Sequence, residues 1–125
     1  MSSINQISVV FLYCQDLAKQ RAFYEQAFGL AKLVVDAKWW VEYAVGTGSH
    51  FALHQGKPEH FAGANRAHNT IKFSFDVSDI KNVAAKLQSL GAKFHYEPRL
   101  EYGFWLAEFE DPEGNILRLY EKVKK

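Results

Sequence analysis

The chain repeats one pattern of residues at a separation of 63 positions, from Asp16 to Asp79. Each of these aspartates opens a segment with apolar residues at helical spacing, and Gly29 and Gly91 end the two segments. A run rich in β-branched and aromatic residues precedes each segment, and three strand-like runs follow it. An internal repeat of this kind predicts two copies of a βαβββ unit.

Both predicted units contain a strand, a capped helix and three further strands. The first unit, about residues 4–55, has predicted strands at 4–13, 32–36, 39–45 and 51–55. The second unit, about residues 70–121, has its first strand at 71–77 and a helix capped by Ser78 or Asp79. Segment 56–69 is polar and contains proline and glycine, which predicts a linker. We expect residues 1–125 to form a single domain.

The last two strands are joined by the turn 111–115, Asp-Pro-Glu-Gly-Asn. Proline presets φ, glycine accepts a positive φ, and the Asp and Asn side chains bond nearby backbone groups. If this hairpin closes with Glu110 opposite Ile116, Glu108 lies opposite Arg118. The sequence therefore predicts an ion pair in the middle of the hairpin.

Composition excludes several classes of protein. With 48% hydrophobic and 15% aromatic residues, the 125-residue chain is not a disordered segment. Its net charge is +1 and its 15 basic residues are scattered, so no nucleic-acid partner is expected. The single cysteine cannot form an internal disulfide, and neither a signal peptide nor a membrane-spanning run occurs. These features predict a cytoplasmic protein without a membrane partner.

Three features together resemble the vicinal oxygen chelate superfamily, which includes glyoxalase I, extradiol dioxygenases and bleomycin-resistance proteins. They are the βαβββ repeat, the helix segment 22–30 (Ala-Phe-Tyr-Glu-Gln-Ala-Phe-Gly-Leu) and the 111–115 hairpin, and the similarity covers residues 4–121. The resemblance implies an α+β fold in which two βαβββ modules form a curved mixed sheet. It also implies a concave ligand pocket, helices on the convex face, and a homodimer.

Metal-dependent members of this superfamily place ligands, usually His or Glu, at four inward positions. The corresponding positions in this chain are Val9, Ala52, Lys72 and Arg118. Val and Ala carry no donor atom, and protonated Lys and Arg have no lone pair to offer a metal. The resemblance therefore implies a site with no metal and no cofactor. Lys72 and Arg118 then need an anion, from Glu108, from Asp76 or from a ligand.

The chain has more aromatic residues than two short helices can cover, Trp40 and Tyr43 among them, so several are predicted to line a ligand cavity. Alternation along the strands assigns Phe75, Leu117 and Leu119 to the helix side, together with Ile71, Phe73 and Val77. Their neighbours face the cavity. The predicted ligand-binding residues are Lys72, Arg118, Phe11, Tyr13, Trp39, Tyr102, Phe104 and Tyr120.

Two residues are candidates for acid or base chemistry. His54 lies two residues beyond Ala52 on the same strand face, and Glu108 faces the cavity from the hairpin. The other four histidines lie near turns or in the linker and are expected to be solvated: His50, His60, His68 and His95.

Three functions remain open. The first is a metal-free protein that sequesters a small aromatic or anionic compound, as bleomycin-resistance proteins do. The second is a metal-independent lyase or isomerase of the glyoxalase type. Glu108 or His54 would be its base, and Arg118 with Lys72 would stabilise an oxyanion. The third is a metal-dependent lyase or dioxygenase with ligands elsewhere; its candidate ligands are His50, His54 and His68.

Overall fold

The computed structural model describes Ser3 and residues 6–61, 71–72 and 74–123. The chain divides into two compact units, unit 1 (Met1–Ala62) and unit 2 (Gly63–Lys125). Each unit contains a four-stranded mixed sheet and one main α-helix that contacts it. The predicted α+β fold class is confirmed.

Unit 1 builds its sheet from strands on both sides of its helix in the chain. Its elements are β1 (Val10–Cys14), α1 (Leu17–Phe28), β2 (Leu33–Asp36), β3 (Trp40–Val45), β4 (Ser49–Gln55) and a short 3-10 helix (Pro58–His60). The strand order is β1-β4-β3-β2, with β1 parallel to β4 and the other pairs antiparallel. Tyr24 of α1 lies with its ring centroid 5.1 Å from that of Phe51 on β4. Both residues are buried, so this sheet face and the helix share a core.

Unit 2 repeats this arrangement. Its elements are β5 (Ser74–Asp76), α2 (Ile80–Ser89), β6 (Lys93–Glu101), β7 (Phe104–Glu110) and β8 (Ile116–Lys122). The strand order is β5-β8-β7-β6, with β5 parallel to β8. The core of this unit is formed by buried apolar residues of α2, β7 and β8: Ile80, Ala84, Leu87, Ala107, Phe109, Leu117 and Leu119. The predicted helix-side position of Leu117 and Leu119 is confirmed.

Both helices begin at the aspartates of the sequence repeat. The Asp16 carboxylate accepts a hydrogen bond from the Lys19 amide at 3.1 Å, and the Asp79 carboxylate accepts one from the Asn82 amide at 3.3 Å. Each bond satisfies an amide that has no partner inside the helix, which is the role of an N-cap. Gly29 ends α1 with φ of 63°, a left-handed conformation that costs glycine little.

The hairpin of β7 and β8 closes in the predicted register. Glu110 pairs with Ile116, Phe109 with Leu117 and Glu108 with Arg118. The Asp111 carboxylate accepts hydrogen bonds from the amides of Glu113 and Asn115, both at 2.9 Å. The turn is therefore held by the side-chain to backbone bonding that its sequence predicts.

Two strands are shorter than the sequence pattern predicted. β1 begins at Val10 rather than residue 4; residues 6–9 are irregular and Ile4 lies outside the described residues. β5 covers only Ser74–Asp76, and Ile71 is 75% exposed instead of packed under the helix. Strand pairing explains these limits, because β1 pairs with β4 only from Val10 onward. Apolar β-branched residues favour a strand but do not supply a partner for it.

Other predicted segments fall partly outside the described residues. They include Phe73 and residues 62–70 of the linker region, among which is His68. Within the same linker region, Pro58–His60 forms the 3-10 helix. Cys14 is completely buried at the end of β1. Within the described ranges, the structure contains no helix that is long and apolar enough to span a membrane.

Candidate functional site

The sheet face that points away from the helix carries most of the predicted site residues in each unit. Strand register places Phe11 beside Ala52 and Tyr13 beside His54 in unit 1. Phe51 contacts Tyr24 of α1, and it alternates along β4 with Ala52 and His54. The side chains of Ala52 and His54, and of their neighbours Phe11 and Tyr13 on β1, therefore lie on the opposite face of the sheet.

Five rings pack together on this face of unit 1. We call them the aromatic cluster: Phe11, Tyr13, Trp40, His54 and His60. The Phe11 ring centroid lies 5.4 Å from that of Tyr13 and 5.2 Å from that of Trp40. The His54 ring lies 5.3 Å from Tyr13 and 5.4 Å from Trp40, and His60 stacks on Tyr13 at 4.1 Å. The cluster presents ring faces and edges on which a planar compound could stack.

The protonation of His54 follows from its contact with the backbone. Nδ1 lies 3.0 Å from the Trp39 carbonyl oxygen. A carbonyl oxygen only accepts hydrogen bonds, so Nδ1 carries a proton. In the neutral ring Nε2 then holds the lone pair and is able to accept a proton or a hydrogen bond.

Glu42 places a carboxylate on the same face of unit 1, directly opposite Ala52. It accepts a hydrogen bond from Trp40 Nε1 at 2.9 Å and contacts Nδ1 of His50. These two hydrogen bonds, with that of His50 the larger effect, lower the pKa of Glu42 below its usual value. His50 was expected to be solvated, and this prediction is wrong, because Glu42 holds it on the sheet.

In unit 2 the equivalent face carries charged residues. We call them the Glu108 cluster: Lys72, His95, Glu108, Glu110 and Arg118. Arg118 Nε donates to Glu108 Oε2 at 2.8 Å, and Lys72 Nζ lies 3.9 Å from the same oxygen. His95 Nδ1 lies 2.9 Å from Glu108 Oε1, and its Nε2 lies 2.7 Å from Glu110 Oε2. The predicted pair of Glu108 with Arg118 is therefore present, but within a larger network.

Glu108 lies deepest in this network, with a side chain that is 11% exposed, against 36% for that of Arg118. Burial raises the pKa of Glu108, but the hydrogen bonds from Arg118 and His95 outweigh it, so the pKa falls below its usual value. In return, the Glu108 carboxylate raises the pKa of the Arg118 guanidinium. Glu108 is therefore an ionised structural anion and a poor proton acceptor near neutral pH.

A β-bulge brings His95 between its two carboxylates. Phe94 pairs with Phe109 and Tyr96 with Glu108, so β6 advances two residues while β7 advances one. His95 is exposed, as expected, but it lies within β6 rather than near a turn, and its ring bridges Glu108 and Glu110. The alternation of Phe94 with His95 in the sequence places the histidine away from the helix. That signal could have indicated its side of the sheet.

The remaining predicted ligand-binding residues lie in different surroundings. Trp39 is 58% exposed, with Lys38 Nζ 5.1 Å from its ring centroid, and Trp40 rather than Trp39 belongs to the aromatic cluster. Tyr102 is 93% exposed in the turn between β6 and β7. Phe104 and Tyr120 contact each other in unit 2, with ring centroids 5.3 Å apart.

Two other expectations need correction. Tyr43, counted among the aromatic residues in excess, is buried on the helix side and donates a hydrogen bond to Glu25 at 2.7 Å. Asp76 is exposed, and within the described part of the chain it is not an ion-pair partner of Lys72 or Arg118. His60 is exposed, as expected, and it also stacks on Tyr13.

Among the described residues, the side chains at the expected ligand positions are not metal ligands. Ala52 is completely buried and has no donor atom, while Lys72 and Arg118 are both engaged with Glu108. His50 and His54 are four residues apart on β4, roughly 13 Å at the usual rise of a strand, so they do not converge on one ion. Nowhere in the described ranges do three or more His, Cys, Asp or Glu residues group to hold a metal.

Comparison with known proteins identifies relatives of this fold. The family model "Glyoxalase/Bleomycin resistance protein/Dioxygenase superfamily" matches residues 3–119. No curated protein sequence matches the chain.

Several solved structures have the same fold. A glyoxalase/bleomycin resistance protein/dioxygenase family enzyme from Burkholderia phytofirmans superposes with a TM-score of 0.79 at 20% identity, covering 93% of this chain and 98% of its own. TnmS3, an antibiotic binding protein from a Streptomyces species, superposes with a TM-score of 0.76 at 22% identity, covering 98% and 100%. A glyoxalase-related enzyme from Fulvimarina pelagi gives 0.76 at 18% identity, covering 95% and 89%. At sequence identities of 18–22%, the similarity to these structures shows the fold alone.

The geometry of the Glu108 cluster predicts energetic coupling between Glu108 and Arg118. Glu108→Leu leaves three cationic groups without their shared anion and should cost about 2–4 kcal/mol of unfolding free energy. Arg118→Met should cost less, about 1–2 kcal/mol, because Lys72 and His95 still contact Glu108 and Arg118 is partly solvated. The double variant should lose less unfolding free energy than the two single variants together. The difference, which is the coupling energy, should be at least about 1 kcal/mol by urea unfolding.

Arg99→Met is a matched control for this cycle. Arg99 donates to Glu101 at 2.6 Å, but its side chain is 53% exposed. A double-mutant cycle that removes the Arg99 and Glu101 charges should give little coupling, because an exposed ion pair contributes little to the unfolding free energy. A coupling between Glu108 and Arg118 no larger than in this control would contradict the account.

Proposed function

Since the chain belongs to the Glyoxalase/Bleomycin resistance protein/Dioxygenase superfamily, we propose that it binds a small aromatic or anionic compound without a metal ion. The observation that carries the proposal is the chemistry at the four positions where metal-dependent relatives place ligands. They hold Val9, Ala52, Lys72 and Arg118. None of these side chains is a metal ligand at neutral pH, so recognition must use other contacts.

The aromatic cluster supports recognition of a ring. Phe11 and Tyr13 are 40% and 36% exposed, although each contacts other rings of the cluster. Such partly exposed rings, already held by their neighbours, lose little freedom when a planar compound stacks on them. Glu42 and His50 beside the cluster add a carboxylate and an imidazole that are able to orient a polar substituent.

The Glu108 cluster supports recognition of an anion. The side chains of Lys72 and Arg118 are 30% and 36% exposed, whereas that of Glu108 is 11% exposed. Both cationic side chains are therefore more accessible to solvent than the side chain of Glu108. Arg118 offers a planar group suited to carboxylates, and Lys72 adds a second positive charge.

A metal-independent lyase or isomerase is the second candidate function, and one observation favours His54 over Glu108 as its base. His54 carries its proton on Nδ1, which leaves Nε2 as an acceptor within the aromatic cluster. The Glu108 carboxylate is stabilised in its ionised form by its cationic partners and is therefore a weaker base. Turnover that is lost in His54→Asn while ligand binding persists would favour this enzyme function.

The exposed edge of the sheet in unit 1 supports a homodimer. Edge strand β2 exposes three consecutive apolar residues: Leu33, Val34 and Val35 are 39%, 49% and 37% exposed. An apolar edge strand with unpaired backbone groups favours pairing with another chain.

We predict the mass of a dimer in light scattering at tens of micromolar protein. Val34→Lys should give a monomer, because a charge on the edge disfavours pairing. Val123→Lys, at a residue that is 37% exposed beyond β8, is the control and should remain dimeric. A monomeric mass for the unchanged protein would rule out this assembly.

We also predict the metal content of the protein. Protein purified without chelators should contain no stoichiometric zinc, nickel, iron or manganese by elemental analysis, because none of Val9, Ala52, Lys72 and Arg118 offers a lone pair to a metal at neutral pH. His54→Asn provides a comparison. About one equivalent of metal in the unchanged protein, lost in this variant, would overturn the metal-free proposal.

The aromatic cluster is tested with 2-naphthol, a neutral planar probe. Trp40→Ala should weaken its binding in calorimetry by about tenfold or more, because one ring face and its apolar contact are lost. Trp105→Ala is the control: Trp105 lies in unit 2, with Lys81 Nζ 4.7 Å from its ring, and its loss should leave the affinity unchanged. Equal affinities in both variants, or no binding by the unchanged protein, would count against the aromatic cluster as the binding surface.

A further inference from the structure

The contacts of His95 define its charge. Nδ1 lies 2.9 Å from a Glu108 oxygen, and Nε2 lies 2.7 Å from a Glu110 oxygen. An ionised carboxylate only accepts hydrogen bonds, and a neutral imidazole has only one N–H to donate. With both carboxylates ionised, the two contacts therefore require a doubly protonated, positively charged ring. The hydrogen bonds to Glu108 and then Glu110 accordingly raise the pKa of His95 above its usual value.

The protonation of His95 decides the net charge of the Glu108 cluster. With the ring protonated, three cations face two carboxylates and the cluster carries one net positive charge. With the ring neutral, the two remaining cations only balance the two carboxylates. Glu110, whose side chain is 30% exposed, then loses its charged partner and repels any approaching anion.

When His95 is neutral, no other described residue of the unit 2 sheet replaces its positive charge in the Glu108 cluster. Other titratable or charged groups near His95 lie on its own strand or bond elsewhere: Lys93, Tyr96, Glu97, Arg99 and Glu101. Glu97 accepts a hydrogen bond from Gln88 of α2 at 3.2 Å. Arg99 donates to Glu101, which offsets the charge of that carboxylate, although Glu101 also contributes to the raised pKa of Arg118. Among the described residues, Lys72 and Arg118 are the other cations that contact Glu108.

Arg118 retains a binding edge within this arrangement. Its hydrogen bonds to described residues use Nε alone, which donates to Glu108 Oε2. The two terminal nitrogens form a planar edge that matches the two oxygens of a carboxylate. The Arg118 side chain is 36% exposed, and the hydrogen bond through Nε restricts the orientation of this edge.

We propose that the Glu108 cluster is a proton-coupled binding site for a single carboxylate, with Arg118 and Lys72 as its contacts and His95 as the group that carries the proton. This inference rests on the proposed function and specifies the anionic group that the unit 2 sheet recognises. One bound carboxylate neutralises the single net charge of the protonated cluster. Binding then favours the protonated ring, so the protein takes up a proton when it binds at a pH above the pKa of His95.

The sign of the pH dependence follows from this linkage. Below the pKa of His95 the Glu108 cluster already has its net positive charge, so its affinity for a carboxylate should not change with pH. Above it, each binding event takes up a proton, so affinity should fall by up to about tenfold per pH unit. Propionate is a suitable probe because it is a carboxylate without a ring and does not depend on the aromatic cluster.

The test measures propionate binding by calorimetry from about pH 6 to about pH 9, in buffers of different ionisation enthalpy, which reports proton uptake directly. We expect weaker binding and increasing proton uptake at high pH. His95→Gln should bind weakly at every pH with no proton uptake. Lys86→Gln on α2, which removes a positive charge elsewhere, should retain the behaviour of the unchanged protein.

Glu110→Gln provides a second test that does not remove the histidine. It leaves one carboxylate in the cluster, so propionate should bind more tightly and the fall in affinity should begin at a lower pH. The proposal is overturned if propionate does not bind, if its affinity is the same across the pH range, or if His95→Gln keeps the pH dependence. Failure of 2-naphthol binding with intact propionate behaviour would refute the aromatic site alone.

Discussion

The carboxylate of Glu108 is the constraint on which the charged face of unit 2 depends. A buried carboxylate must be compensated, because desolvation costs several kcal/mol unless charges and hydrogen bonds replace water. Arg118, His95 and Lys72 supply this compensation from β8, β6 and the segment before β5. The hairpin register that places Glu108 opposite Arg118 is thus an electrostatic requirement as well as a result of turn geometry.

The two units use equivalent positions in different ways. Glu42 lies opposite Ala52 on the sheet of unit 1, as Glu108 lies opposite Arg118 on that of unit 2. Because Ala52 offers no charge, Glu42 bonds instead to the indole of Trp40 and to His50. One copy of the repeat has therefore become largely aromatic on this face and the other largely ionic. This difference is the physical basis of our proposal that the two units recognise rings and anions separately.

Local signals in the sequence predicted much of the fold. Helix caps at Asp16 and Asp79 and the turn at 111–115 depend on residues close in the chain, and the structure agrees with them. The lengths of β1 and β5 depend on where partner strands end, which local propensity does not encode.

The candidate site was harder to predict for the same reason. Glu25 on α1 accepts the hydrogen bond of the buried Tyr43 hydroxyl, and His95 reaches two carboxylates through a bulge in β6. Both contacts join separate elements and depend on tertiary geometry. The ion pair of Glu108 with Arg118 was predictable because one short turn sets the register of both residues.

The central claim is that an ionised Glu108 holds a protonated His95 against Glu110. Nitrogen NMR of the histidine rings at neutral pH tests it most directly, with His95→Gln used to assign the signals. The account predicts that both ring nitrogens of His95 carry protons and show the shifts of an imidazolium. A neutral ring, with one nitrogen unprotonated at neutral pH, would contradict it.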